Sequence, residues 1–160
     1  MFRQRIRDKL VHYCLTGECM WELLRARQML LNKPFETTAK KLRRPLSTAA
    51  MPVDVEHVVC KVRGAMGSIY RWVPWKPTCL TRAIAAHQVL ARRGIVSDLV
   101  LSVTPASGKA VDAHAWLEAG GSIVTGRGEK AKYVPIYTFS NAAGEAEREI
   151  AEERTLSCSR

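Results

Sequence analysis

Apolar residues recur at helical spacing up to Gly94 and alternate beyond it. Residues 2–14 and 18–32 read as two helices, with a break at Thr16 and Gly17. In the second, Met20, Leu23, Leu24, Leu30 and Leu31 fall mostly on one face. Pro34 ends it, because proline removes a donor and clashes with the preceding turn. A short helix is expected from Phe35 to Leu42, and then a loop from Arg43-Arg44-Pro45 to Pro52. Pro52 suits a first helical position, with Asp54 and Glu56 near the positive end of the dipole. Val55, Val58, Val59, Val62, Met66, Ile69 and Tyr70 then predict a buried helix ending near Trp72 and Val73. Gly64 and Gly67 weaken that helix and suit close packing.

A further helix starts at Cys79. Pro77 pushes Thr78 out of helical geometry, and the Thr78 hydroxyl suits an N-cap. Leu80, Ala83, Ile84 and Leu90 form its apolar side, and Arg92-Arg93-Gly94 is a basic last turn with a glycine stop. Then the period changes to two. Leu99, Leu101 and Val103 alternate within Asp98–Thr104, and Pro105 to Lys109 is a turn. Val111–Ala119 and Ser122–Thr125 read as strands joined at Gly120-Gly121, with a fourth over Tyr133–Phe139. Ala142–Arg154 reads as an Ala/Glu/Arg helix with no apolar face. Helices first and an antiparallel meander afterwards make an α+β fold. The expected organisation is a helical N-terminal region over 1–50, a core over 51–140 of the same domain, and a charged tail over 141–160.

Composition narrows the class. At 160 residues, 47% hydrophobic and 25% charged, the chain has globular values and the length of one domain. No apolar run approaches the roughly 20 residues of a membrane span. The basic start Met1–Arg7 is followed by Asp8, Lys9 and His12 where a signal peptide needs a greasy stretch, so a cytoplasmic protein is expected. The net charge is +10, and residues 1–50 hold 11 basic against 4 acidic side chains. Such a surface attracts an acidic partner or simply stays solvated. Nucleic acid is not expected, since no phosphate loop, RNA-binding aromatic signature or zinc-finger spacing accompanies the charge. The five cysteines are odd in number and include no CxxC, so no disulfide framework or zinc ribbon is expected. Cys14, Cys19, His57 and Cys60 are of ligand type but fall on structural helices, and no metal or other cofactor is expected. Cys14, Cys19, Cys60 and Cys158 read as small core residues, and His12, His57 and His87 as surface or satisfied core groups.

Cys79 and His114 differ from these. A helix N-terminus presents unpaired N–H groups and a partial positive charge, which favour a thiolate. An imidazole nearby favours it further and then protonates a leaving amine. The Cys79 backbone N–H is placed to stabilise an oxyanion. His114 lies on a predicted strand in Ala113-His114-Ala115-Trp116-Leu117-Glu118. Trp116 shares its face, and Trp72 and Trp75 precede the cysteine as walls of one cleft. Trp75, Thr78, Trp116 and Glu118 are the candidate cleft residues.

The run Trp72–Gly94, with Pro74, Cys79-Leu80, Arg82-Ala83, Leu90 and Arg93-Gly94-Ile95, resembles the transglutaminase-like leader peptidases of lasso-peptide biosynthesis. So does Ala113–Glu118 with the glycine turn behind it, and the likeness runs from about Leu30 to Phe139. It implies a papain- or transglutaminase-like fold, with Cys79 as nucleophile and His114 as base. It implies a peptidase that cuts the leader from a ribosomally made precursor peptide. The freed core amine then goes to a separate ATP-dependent lasso cyclase.

Two departures stand out. The family pattern has a carboxylate about a dozen residues after the histidine, where this chain has Thr125-Gly126-Arg127. Glu129 lies further on, Asp112 is at i−2, and Glu118 is roughly 13 Å along an extended strand from His114. The third catalytic member therefore stays open: absent, replaced by a backbone carbonyl, or aligned elsewhere. Some relatives also carry a fused leader-binding domain of several strands, whereas residues 1–50 here read as helical. That implies a separate small leader-binding protein as partner. The alternative is a catalytically inactive scaffold or binding module of the same fold.

Overall fold

A computed structural model describes residues 2–44, 46, 54–69, 72–104, 112–127 and 132–142, with side chains from residue 11. Among the described residues, four helices precede four strands: α1 (Phe2–Asn32), α2 (Phe35–Leu42), α3 (Val55–Ile69), α4 (Cys79–Ala91), β1 (Asp98–Val103), β2 (Ala113–Ala119), β3 (Ser122–Thr125) and β4 (Val134–Ser140). This is the α+β arrangement expected.

The centre is α4. Ala83, Ile84, Ala85, Ala86, Val89 and Leu90 are fully buried, so the helix is enclosed on several faces. Its small alanines let α1 approach on one side and β2 on the other. Thr78 caps it as expected, accepting a hydrogen bond from the Thr81 N–H at 3.2 Å. Gly94, at φ 68, ends the turn that follows, and Ile95 N–H closes back on the Leu90 carbonyl at 3.1 Å.

The predicted break in α1 does not occur. Thr16 turns its hydroxyl back onto the His12 carbonyl at 2.8 Å, and Gly17 sits in open space. A glycine costs a helix about 1 kcal/mol. Burial of Leu15, Cys19, Leu23 and Ala26 on the inner face outweighs it. α3 begins at Val55 rather than Pro52, because Asp54 is the cap, its carboxylate accepting from the His57 N–H at 3.0 Å. Pro52, like Tyr70, lies outside the described residues. Gly64 and Gly67 are exposed with nothing near a Cβ, so they serve no close approach.

The sheet is antiparallel in the order β3-β2-β1-β4. It is therefore not the simple meander expected. β4 returns to pair with β1, with Leu99 opposite Phe139 and a shift between Leu101 and Ser102. Pro135 is tolerated because β4 is an edge strand that needs fewer donors. Gly120 and Gly121, at φ 54 and 70, form the left-handed pair that a two-residue hairpin requires. Leu99, Ala115, Leu117, Ala119, Val124 and Phe139 face the helices. The loop 105–111 and the tail from 143 lie outside the described residues.

Two polar clusters fasten α4. Arg92 and Arg93 pair with Glu18 and Glu22 of α1, and Glu22 is only 2% exposed. The hydrogen bond from Arg93 holds the Glu18 carboxyl below its ordinary range. His87, fully enclosed, bonds the Leu42 carbonyl through Nε2 at 3.0 Å and the Ser97 hydroxyl through Nδ1 at 2.9 Å. A carbonyl only accepts, so Nε2 carries the proton and Nδ1 accepts from Ser97. Burial lowers the His87 pKa from its ordinary 6.5. With the folded value depressed, protonation favours the unfolded chain. His87 therefore leaves stability intact above pH 6.5 and erodes it as pH falls toward the folded value. Glu18 follows the same sign at lower pH, losing its contribution as pH falls from 4.5 through its depressed folded value. Urea midpoints measured across pH should fall from about pH 6.5 downward. In His87→Gln the first part of that fall should disappear, while the Glu18 part remains.

Candidate functional site

Cys79 is the first residue of α4 and is half-buried. Its position follows from the Pro77-Thr78 approach: the proline enforces an extended Thr78, at φ −67 and ψ 159, and the capping hydroxyl fixes where the helix begins. The Thr78 hydroxyl also lies 2.7 Å from that of Thr81.

His114 is the second residue of β2 and pairs with Ser102 of β1. The Ser102 hydroxyl donates to the His114 carbonyl at 3.0 Å. Alternation puts His114, Trp116 and Glu118 on the sheet face opposite Ala115 and Leu117. The two ends of α4 are marked by different contacts. His87 bonds Ser97 just before β1, at the helix's C-terminal half. On the sheet, Tyr133 lies against His114. Its ring stacks on His114 at 4.9 Å between centroids and 29° between planes. Its hydroxyl donates to the Asp112 carboxylate at 2.9 Å. That hydrogen bond holds the phenol above its ordinary range, with burial, the Asp112 charge and the Cys79 charge adding to the effect. Tyr133 thus packs on the histidine and is tied to Asp112. Among the described residues, no hydrogen bond joins Cys79 to His114 directly. Such contacts are often long in the absence of substrate.

The far side of the imidazole meets a backbone group. His114 Nε2 lies 3.1 Å from the Gly126 carbonyl oxygen. A carbonyl only accepts, so Nε2 donates, and Nδ1 of the neutral ring keeps the lone pair. Gly126 stands where the resemblance places a carboxylate. No other residue fits its backbone: φ is 78, and a Cβ would sit 2.6 Å from the Ala115 carbonyl oxygen and 2.7 Å from Trp116 Cβ. Asp112 acts on Tyr133 rather than on His114.

The other candidates divide. Trp75 and Thr78 line a groove of about 340 Å³ beside the start of α4. Trp116 does not line an open cleft, as sequence suggested. It is 2% exposed, backing His114 at 6.2 Å between ring centroids, with its indole N–H donating to Glu118 at 2.7 Å. Glu118 is occupied by that bond at the opposite end of β2. Trp72 is 77% exposed. Tyr133 and the Gly126 carbonyl were not singled out from the sequence. Tyr133 carries no motif, and a carbonyl is common to every residue.

The remaining thiols are placed differently. Cys19 is buried, and burial pushes its thiol up to about 12. Cys14 and Cys60 are exposed, not core residues as expected. Among the described residues, no group of three or more His, Cys, Asp or Glu side chains is arranged to hold a metal ion. No described helix is long and apolar enough to cross a membrane.

Residues 20–138 match the family model of the transglutaminase-like superfamily. The chain belongs to that superfamily. The superfamily includes cysteine proteases, and the match spans α4 and β2, which carry Cys79 and His114. No match was found among curated proteins or solved structures.

The glycine requirement is directly testable. Gly126→Ala should cost about 1–3 kcal/mol of stability through strain at positive φ. It should also draw the carbonyl off His114. Nitrogen chemical shifts of the imidazole should show a single Nε2-protonated tautomer in the parent protein and a mixture in the variant.

Proposed function

We propose that this protein is a cysteine peptidase that removes the leader from a ribosomally synthesised precursor peptide during lasso-peptide maturation. Cys79 is the nucleophile and His114 the base. The observation that carries the reading is a cysteine that begins α4 and a histidine held through Nε2 by a carbonyl on β2, a strand packed against that helix, in a transglutaminase-like chain.

In this reading His114 Nδ1 takes the Cys79 proton and the sulfur attacks the scissile carbonyl carbon. The Cys79 backbone N–H faces the developing oxyanion. Collapse breaks the C–N bond, and the proton on Nδ1 passes to the departing amine of the core peptide. Water, deprotonated by the same nitrogen, then releases the leader acid from the thioester. The Gly126 carbonyl keeps the ring in the productive tautomer, a task a carboxylate performs in triads. The amine product is what an ATP-dependent cyclase needs to close a ring on an acidic side chain. No cofactor takes part.

Leader recognition is assigned to a separate small protein. The outward face of α1 supports such a partner: Tyr13, Trp21 and Leu24 are 69, 62 and 40% exposed and fall within about a quarter turn of one another. The reading places the protein in the cytoplasm, where thiols stay reduced. A second reading, an inactive module of the same fold, draws on the glycine at the carboxylate position and the missing Cys79–His114 bond.

Cleavage of the neighbouring-gene precursor, followed by mass spectrometry with the leader-binding protein and cyclase supplied, separates the two. The peptidase reading expects one cut, lost by at least about a thousandfold in Cys79→Ala and in His114→Ala. Absence of any Cys79-dependent cut rejects it in favour of the inactive module.

A further inference from the structure

The groove beside Cys79 has a definite chemistry. Its walls are Leu30 and Leu31 from α1 and Trp75 and Pro77 from the approach to α4, with Arg27 and Lys76 at the rim. Thr78 and Thr81, the cap pair of α4, also line it, and Thr78 immediately precedes Cys79 in the chain. The Arg27 guanidinium lies 4.6 Å above the Trp75 ring, which holds a cation at the groove while leaving its donors free. Among the described residues, no carboxylate lies within ion-pair distance of Arg27 or Lys76. Leu31 is 70% exposed, so an apolar side chain shares the groove with two cations that have no counter-ion among the described residues.

We propose that this groove is the substrate subsite that selects the precursor's sequence, taking an apolar side chain with a carboxylate next to it. The inference rests on the peptidase reading and names the substrate it accepts. The apolar walls exclude water around an aliphatic side chain, and the two cations complement one acidic neighbour. Register follows from covalent geometry. Thr78 adjoins Cys79, and consecutive Cα atoms are about 3.8 Å apart. An extended substrate rises about 3.3 Å per residue, so the apolar–acidic pair sits within about four residues of the scissile bond. A basic residue in place of the acidic one meets uncompensated like charge.

Binding tests this apart from catalysis. The probes are two blocked peptides, one centred on Leu-Glu and one on Leu-Gln, titrated into full-length Cys79→Ala protein. The Trp75 indole N–H resonance, a donor without a partner among the described residues, reports occupancy of the groove. The Leu-Glu peptide should bind about fivefold more tightly than its twin, as two partly exposed ion pairs allow. The preference should vanish in Arg27→Gln/Lys76→Gln. Leu31→Asp, at an exposed position that folding does not need, should weaken both peptides. Equal binding of the twins, no shift at Trp75, or a preference that survives in the double variant overturns the subsite. The same peptides offered to protein with Cys79 intact separate the two readings. Selective binding without Cys79-dependent cleavage counts against the peptidase and leaves the subsite standing.

Discussion

The placement of Cys79 depends on the burial of α4. A helix enclosed by α1 on one side and the sheet on the other has one free end, and that end carries Cys79. The enclosure is possible because Ala83, Ala85 and Ala86 keep the helix thin where neighbours approach. Bulkier residues would force α1 and β2 apart and overpack the core. The cost of burying the helix's far end is offset by ion pairs from Arg92 and Arg93 to Glu18 and Glu22, and by the two hydrogen bonds of His87. With that end fixed, Thr78 can set the first turn without tertiary help.

The histidine is held by a different logic. A carboxylate in a triad orients the ring and supplies a full negative charge to the imidazolium. A backbone carbonyl orients the ring equally well and supplies only a partial charge. Gly126 is the device that permits the exchange, since only a residue without Cβ brings its carbonyl over the β2 backbone at Ala115 and Trp116. Tyr133 supplies the second restraint, by stacking, and Asp112 holds Tyr133 in turn. The negative charge of Asp112 thus stays near the ring without touching it.

What the sequence reveals here is what is local. The Thr78 cap, the Gly94 stop and the Gly120-Gly121 turn are each decided by a few neighbouring residues, and each is found where the pattern places it. Long-range packing is less legible. Thr16 and Gly17 carry a break signal that burial of Leu15, Cys19 and Leu23 overrides. Pairing of β4 with β1 instead of β3 depends on contacts that no short window contains. At the site, Cys79 and His114 are marked by their residue types and their elements. The Gly126 carbonyl leaves only an indirect mark, a glycine where a carboxylate was expected. Trp116 misled because period-two alternation gives the face of a side chain but not what covers that face.

In the proposed reading the groove and the nucleophile share one element, which would bear on selectivity. Residues Trp75 to Thr81 form part of the groove wall, the cap and the thiol in a single stretch of seven positions. On that proposal a substrate side chain seated there would be measured against Cys79 through covalent bonds and one helical turn, not across a flexible interface. Misplacement by about 1 Å can cost a hundredfold in rate, so short, stiff connections between recognition and chemistry are favoured. A carbonyl-held histidine makes that stiffness more valuable. In the peptidase reading, where less charge is available to stabilise the imidazolium, more of the barrier would be met by holding the scissile bond against the sulfur that α4 carries.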